Sequence, residues 1–507
     1  MGGPATGGAR RSESRLAALG VLALVVALAI VGVLATRGDT PTQARGIASA
    51  PAQEPGVGLD AAPAGGPAPR PDVLVVGIDG IGPSDVAAFG GTVAPTPTLD
   101  ALAFRGVVYA DTYATSPWAA ETLASALTGL VRPAADGPSA DGPSAGGDSD
   151  PPPTLAEELR YLGYRTALVR AHARHRTVAD TRTLAPEERG FDSLLAPDGH
   201  EDRAGARAGA VVAAAVEWLD RSVAPSLLVV TLADPRPPHH RYEGLVAAAD
   251  ASYVGPARAG LPHDDLLRTA PAFAEVDRAR LAALHASEVV AADRALERLV
   301  EAVRTRRAVS SPGVAPVVAV VGLRAPALGR GGRWGLVPSL DPEDLRVPML
   351  MDLPSPLGAE TGASREPLQG VIDAPTSVAD LAPTLLDALG GTPRLDLDGR
   401  SVFPGVRRSE RPIRAATARG VRAAMHVAGD RALVLHCDPV RAEVHARVRG
   451  AGSNALVSAP RWEAAASGSV VSSDLTDLRG VLGAWMGAIG VARGDEPVRL
   501  RTVAIGR

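Results

Sequence analysis

Four apolar runs rich in valine and leucine, VLVVGI (73–78), RTALV (165–169), SLLVVTL (226–232) and VVAVV (317–321), set the tightest limit on how this chain can fold. Apolar at most positions rather than at alternate ones, they carry the pattern of strands buried on both faces of a sheet. Between them lie segments with the apolar spacing of helices: TLAEELRYLGY, AGAVVAAAVEWLDRS and HASEVVAADRALERLVEAVRTR. Strands that are apolar on both faces need helices on both sides, so the expectation is an α/β fold with a mostly parallel sheet between two helical layers. Ligands of open parallel sheets sit beyond the carboxyl ends of the strands. The residues directly after VLVVGI, SLLVVTL and VVAVV are therefore the ones to inspect.

With 507 residues the chain exceeds one compact core, and its ends differ in composition from its middle. Residues 16–36, LAALGVLALVVALAIVGVLAT, form an uncharged apolar run of the length that crosses a bilayer as a helix. Arg10, Arg11 and Arg15 precede it, whereas only Arg37 and Arg45 follow closely, so the positive-inside bias places the N-terminus in the cytoplasm and the main domain outside the cell membrane. A cleaved signal peptide ending at Ala48-Ser49-Ala50 is the alternative, disfavoured by the long apolar run and by Pro51 directly after the site. The expected organisation is a cytoplasmic tail (1–15), a single transmembrane helix (16–36), an Ala/Pro/Gly-rich linker (37–70), a main domain (71–408) and a C-terminal subdomain (409–507). A tandem DGPSA repeat marks residues 135–153 as a flexible insertion. A formal charge of −4 gives no reason to expect nucleic acid as a partner. The single cysteine, Cys437, excludes an intrachain disulfide.

The chain resembles the sulfatase branch of the alkaline phosphatase superfamily. The resemblance is carried in order by PDVLVVGIDG, FGGTVAPTPTLDALAFRGVVYADTYATSPW, LTGL, TLAEELRYLGYRTALV, RGFDSL, HASEVVAADRALERLVEAV, LRVPMLMDLP, SVADLAPTLLDALG and LDGRSVFP, across about residues 71–405. It implies a three-layer sandwich with a small C-terminal subdomain. It also implies a site in which a nucleophile at a helix N-terminus and a divalent cation such as calcium together attack a sulfate or phosphate ester.

In that family the nucleophile directly follows a segment like YATSPW, and here that position is Ala119, which has no nucleophilic atom. By the same register the family's Pro, Ser/Thr and Arg become Glu121, Thr122 and Leu123. The first strand, expected to end in paired acids or Asp-Thr, ends in Asp79-Gly80, and the Asp-His or Asp-Asn expected after VVAVV is replaced by Gly322-Leu323-Arg324. A leucine cannot ligate a hard cation and a guanidinium repels one. Neither His nor Lys occurs in 331–344, where the family places one before LRVP, and the family's Asp-Pro-His appears as Asp234-Pro235-Arg236 with His239 and His240 nearby.

Each of these residues also has a reading without chemistry. Asp79 is a surviving metal ligand or simply a polar residue ending a strand. His239 and His240, in the Pro-rich DPRPPHHRYEG, read as solvated loop histidines more readily than as metal ligands. Ser116-Pro117 reads as a helix cap with proline at the first position, and Thr122 as an interior helix residue rather than a displaced nucleophile. Cys437-Asp438-Pro439-Val440-Arg441 fits the C-x-P-x-R pattern read by the family's cysteine-modifying machinery. It follows the strand-like RALVLH, however, and lacks the L-T-G retained at Leu127-Thr128-Gly129, so it reads as a coincidental match holding an ordinary thiol.

These departures imply a membrane-anchored pseudoenzyme with no cofactor, in which Arg324 pairs with Asp79 and closes the old site. The role expected is binding or scaffolding, with the protein or glycan partner left unspecified. Two alternatives stand beside it: an active sulfuric or phosphoric ester hydrolase or transferase using rearranged ligands such as Asp79, Glu121, Asp234 and His239 or His240, and an assembly partner of an active paralogue.

Overall fold

The computed structural model describes residues 70–131, 153–171, 185–197, 207–353 and 368–403, with short breaks at 93, 223–224, 241, 243–244, 246–252 and 392–396, and beyond them five strands between 413 and 464. The expected tail and membrane span, nearly all of the linker and of the 135–153 insertion, and the helix-patterned 475–489 lie outside the described residues. Among the described residues no helix is long and apolar enough to cross a membrane.

The apolar runs form the centre of a nine-stranded sheet. Its strands are β1 (Val73–Asp79), β2 (Val107–Tyr113), β3 (Arg165–Val169), β4 (Ser193–Leu195), β5 (Ser226–Leu232), β6 (Val317–Arg324), β7 (Arg346–Asp352), β8 (Gly370–Ile372) and β9 (Thr376–Ser377). They lie in the order β4-β3-β5-β1-β6-β7-β2-β8, with β9 also on β2. Every pairing is parallel except those of β7, which runs antiparallel to β6 and β2. The sheet is thus mixed and mostly parallel.

Alternation along β1 divides the core. Val73 and Val75 face a layer with α2 (Ala119–Thr128), α3 (Leu155–Tyr161) and α8 (Leu381–Ala388), where Leu123, Leu127, Leu159 and Leu385 are buried. Leu74, Val76 and Ile78 face the opposite layer, with α1 (Pro97–Arg105), α4 (Ala208–Arg221) and the 36-residue α6 (Glu275–Ser310), where Leu102, Val211, Leu219, Leu296 and Leu299 are buried. The short α5 (His263–Thr269) precedes α6, and the single turn α7 (Pro342–Leu345) leads into β7. Two apolar faces have produced the three-layer α/β sandwich. Local signals fix the helix ends: Thr154 accepts from Glu157 N at 3.1 Å while Glu157 Oε2 accepts from Thr154 N at 2.8 Å, a reciprocal cap at the start of α3.

A second, antiparallel sheet follows, with β10 (Ile413–Thr417), β11 (Ala423–Ala428), β12 (Arg431–Cys437), β13 (Val440–Val448) and β14 (Arg461–Ala464). It joins the main body through Ile413, Ala415, Met425 and Val427 in the core shared with α2 and α3. Ala416 N donates to Thr115 O at 2.9 Å and Trp118 Nε1 donates to Thr417 Oγ1 at 3.2 Å, so this sheet braces the segment that leads into α2.

Candidate functional site

Asp79 and Arg324 are the last residues of the adjacent parallel strands β1 and β6, and a register shift after Ile78 brings them opposite each other. Arg324 Nε donates to Asp79 Oδ1 at 2.6 Å and Nη2 donates to Oδ2 at 3.0 Å, a bidentate pair whose side chains are only 13% and 8% exposed. Arg236, from the loop after β5, reaches the same carboxylate with Nη1 at 3.8 Å from Oδ2. Gly80 makes this crowding possible. Its φ of +94° is left-handed, and a Cβ there would lie 2.8 Å from Pro235 O. Leu323, one residue before Arg324, points into the buried layer with Leu123 and Leu127.

Ala119, the position that the resemblance assigns to the nucleophile, is the first residue of α2. The expected cap is corrected here: Trp118, with extended backbone, precedes the helix, and Ser116 lies two residues earlier. Ser116 Oγ accepts from Trp118 N at 3.2 Å and donates to Glu121 Oε2 at 2.6 Å. Thr122 is buried, its hydroxyl donating to Ser116 O at 3.0 Å. Trp118 takes the cap position where the pattern suggested serine, its N–H held by Ser116 Oγ, and Ser116 ties the preceding turn to Glu121.

The reading of His239 as solvated is also corrected, while His240 is half-buried. His239 is buried, with Nδ1 at 2.5 Å from Glu288 Oε2 on α6, and His240 N donates to Glu288 Oε1 at 2.5 Å. The His239 ring meets the edge of His285, whose Nε2 lies 3.0 Å from Asp85 Oδ1 and whose Nδ1 lies 3.2 Å from Pro235 O. Burial holds His239 well below its usual range and lifts Glu288 well above its own. Asp234, bonded by the Tyr242 hydroxyl, is pushed up to about 7, again by burial. These groups anchor the loop carrying Arg236 to α6.

A cleft of about 250 Å³ opens at the strand ends between β1, β5, β6 and α2. Asp79, Ala119, Leu323 and Arg324 line it together with Arg170, Glu187 and Arg236. Glu121, Thr122, Asp234 and His239 are buried away from its lining. The donor set does not suit a divalent cation: the one matched carboxylate is taken by Arg324, and a second guanidinium stands beside it. Among the described residues no group of three or more His, Cys, Asp or Glu is arranged to hold a metal ion.

Arg170, paired with Glu187 and Glu188, was missed from the sequence. It directly follows β3, so extending the strand-end rule to that shorter strand would have found it. Glu288 and His285 carried no such signal, lying within the amphipathic pattern of α6.

Residues 71–391 match the sequence profile of the family described as Sulfatase. Steryl-sulfatase of Mus musculus is 37% identical over 118 residues, 22% of this chain and 19% of the mouse protein, so the match spans about a fifth of that relative. Among solved structures, the phosphonate monoester hydrolase of Agrobacterium radiobacter aligns with a TM-score of 0.53 at 18% identity, over 74% of this chain and 89% of its own. The phosphonate monoester hydrolase of Silicibacter pomeroyi aligns with 0.55 at 17%, over 82% and 95%. BT4656, solved with its substrate D-glucosamine-2-N,6-O-disulfate, aligns with 0.59 at 14%, over 84% and 99%. At these identities the structural likeness concerns the fold.

Proposed function

The chain belongs to the sulfatase family, and from that premise we propose that it is a catalytically inactive member, anchored in the cell membrane by residues 16–36, with a binding or scaffolding role outside the cytoplasm. One observation carries this reading: Arg324 occupies Asp79 with two hydrogen bonds where the family holds its cation. Ala119 at the head of α2 supports it, because a helix N-terminus can bind an anion but an alanine cannot attack one.

The rival reading, a hydrolase or transferase with rearranged ligands, needs Asp79, Glu121, Asp234 and His239 or His240 to converge. Instead Glu121 is bonded by Ser116, Asp234 by Tyr242, and His239 by Glu288, each within its own buried surroundings. A family fold kept with its apolar layers while the reacting groups are exchanged favours binding over turnover.

The deciding experiment is elemental analysis of the dialysed full chain in detergent, together with assays on aryl sulfates and aryl phosphates. Less than a tenth of a divalent ion per chain and no turnover are expected. About one calcium, magnesium, manganese or zinc per chain, or turnover abolished by Asp79→Ala, would establish the rearranged-ligand enzyme instead.

A further inference from the structure

The cleft that closes off the old chemistry has a chemistry of its own. Its lining includes three guanidiniums, from Arg170, Arg236 and Arg324, against two carboxylates, from Asp79 and Glu187. Two of the guanidiniums converge on Asp79, Arg324 from the end of β6 with a bidentate pair and Arg236 from the loop after β5 at 3.8 Å. Their side chains are 13% and 18% exposed, so this positive charge is largely withdrawn from water. Burial holds the Arg236 guanidinium below its ordinary range, opposed by the carboxylate of Asp79 and helped by the charge of Arg324. An anion arriving here meets cations whose attraction is little screened.

Apart from Thr231, the rest of the lining is apolar, with Trp118, Leu123, Leu232 and Leu323 among alanines. At about 250 Å³ the space falls below the range of roughly 300–1,000 Å³ that holds drug-sized ligands, so it has room for a single small ring and not for a polysaccharide chain. The shape of the charged head follows from the donors. A planar carboxylate presents both oxygens along one edge to a guanidinium fork. A sulfate or phosphate head spreads three terminal oxygens, and against leucine and alanine walls an oxygen left without a donor loses its hydration at a cost.

We infer that this cleft is a metal-independent receptor for a small organic carboxylate with an apolar body, an inference that rests on the non-catalytic reading of the same site. The probes are benzoate, phenyl sulfate and phenyl phosphate, titrated calorimetrically into the full chain in detergent with EDTA. Benzoate is expected to bind one per chain, at least tenfold tighter than either ester. Arg236→Met is expected to weaken it at least tenfold. Ala119→Leu, which fills the cleft from the helix wall, is expected to abolish it while melting within a few degrees of the parent, and it decides the matter if Arg236→Met fails to fold. No binding of benzoate, binding unchanged by Ala119→Leu, or tighter binding of phenyl sulfate would overturn the inference. Turnover of either ester, assayed separately with calcium or magnesium added, would remove the non-catalytic reading and this inference with it. Failure of benzoate to bind without any turnover removes the inference alone.

Discussion

His239 and Glu288 meet at 2.5 Å, both buried, the histidine on the loop after β5 and the carboxyl in the middle of α6. Glu288 also accepts from His240 N, so one side chain of α6 fixes two successive residues of the loop that carries Arg236 to the cleft. Burial depresses the histidine and raises the carboxyl, which favours a neutral pair with the proton on Glu288.

The pair dictates how stability varies with pH. His239 contributes above the ordinary histidine value of 6.5 and its contribution is lost as the pH falls from there. Glu288 contributes below the ordinary carboxyl value of 4.5 and its contribution is lost as the pH rises from there. Between the two values the unfolded pair and the folded pair each hold one proton, so the slopes cancel. The contribution of this pair to stability, read as the difference between the parent and the pair variant, should therefore be flat from about pH 4.5 to 6.5 and fall on both sides. Melts of the parent and of His239→Leu/Glu288→Leu check this, and parallel pH curves for the two would sink it.

Removing Arg324 should leave the buried Asp79 carboxylate without its bidentate partner, the nearer Arg236 nitrogen standing 3.8 Å away. Arg324→Met is expected to cost about 3 kcal/mol in urea unfolding, the scale for breaking a buried pair by deleting one partner. The double substitution Asp79→Asn/Arg324→Met should recover at least half of that, because no carboxylate is then buried without its bidentate partner. A single substitution within 0.5 kcal/mol of the parent, taken as neutral, would show that the pair contributes nothing.

Gly80→Ala should destabilise the fold by about 1–3 kcal/mol, the usual cost of holding a residue in a disfavoured backbone region. It should also displace the Pro235–Arg236 segment, since its Cβ would meet Pro235 O at 2.8 Å. A crystal structure of the variant with that segment unmoved and an unchanged urea midpoint would contradict both.

Peptide mass spectrometry of the membrane-extracted protein should find residues 1–36 retained and Cys437 as an unmodified thiol. The apolar run is long enough to stay in the bilayer, and Cys437 ends the hairpin strand β12 rather than heading a helix. A mature N-terminus near Pro51 would refute the anchor, and an aldehyde at residue 437 would reopen the enzymatic reading.

The three-layer fold was legible because its signal is local and repeated. Runs such as VLVVGID are apolar on both faces, and only a sheet between two helical layers buries both. The strand-end rule pointed to Asp79, Leu323 and Arg324, since strand direction carries those residues to one edge, whereas Ala119 was singled out by the family resemblance alone. The burial of His239, the pairing of Arg170 with Glu187 and Glu188, and the approach of Arg236 to Asp79 had no comparable signature. His239 looked like a solvated loop residue because its partner stands 49 positions away on a helix whose polar face gave no hint of pointing inward. Periodicity determined which faces are apolar, and so the layers and the edge where the cleft forms. Which polar side chains meet there was decided only by packing, because hydrogen bonds and ion pairs act over a few ångströms between residues that the sequence keeps far apart.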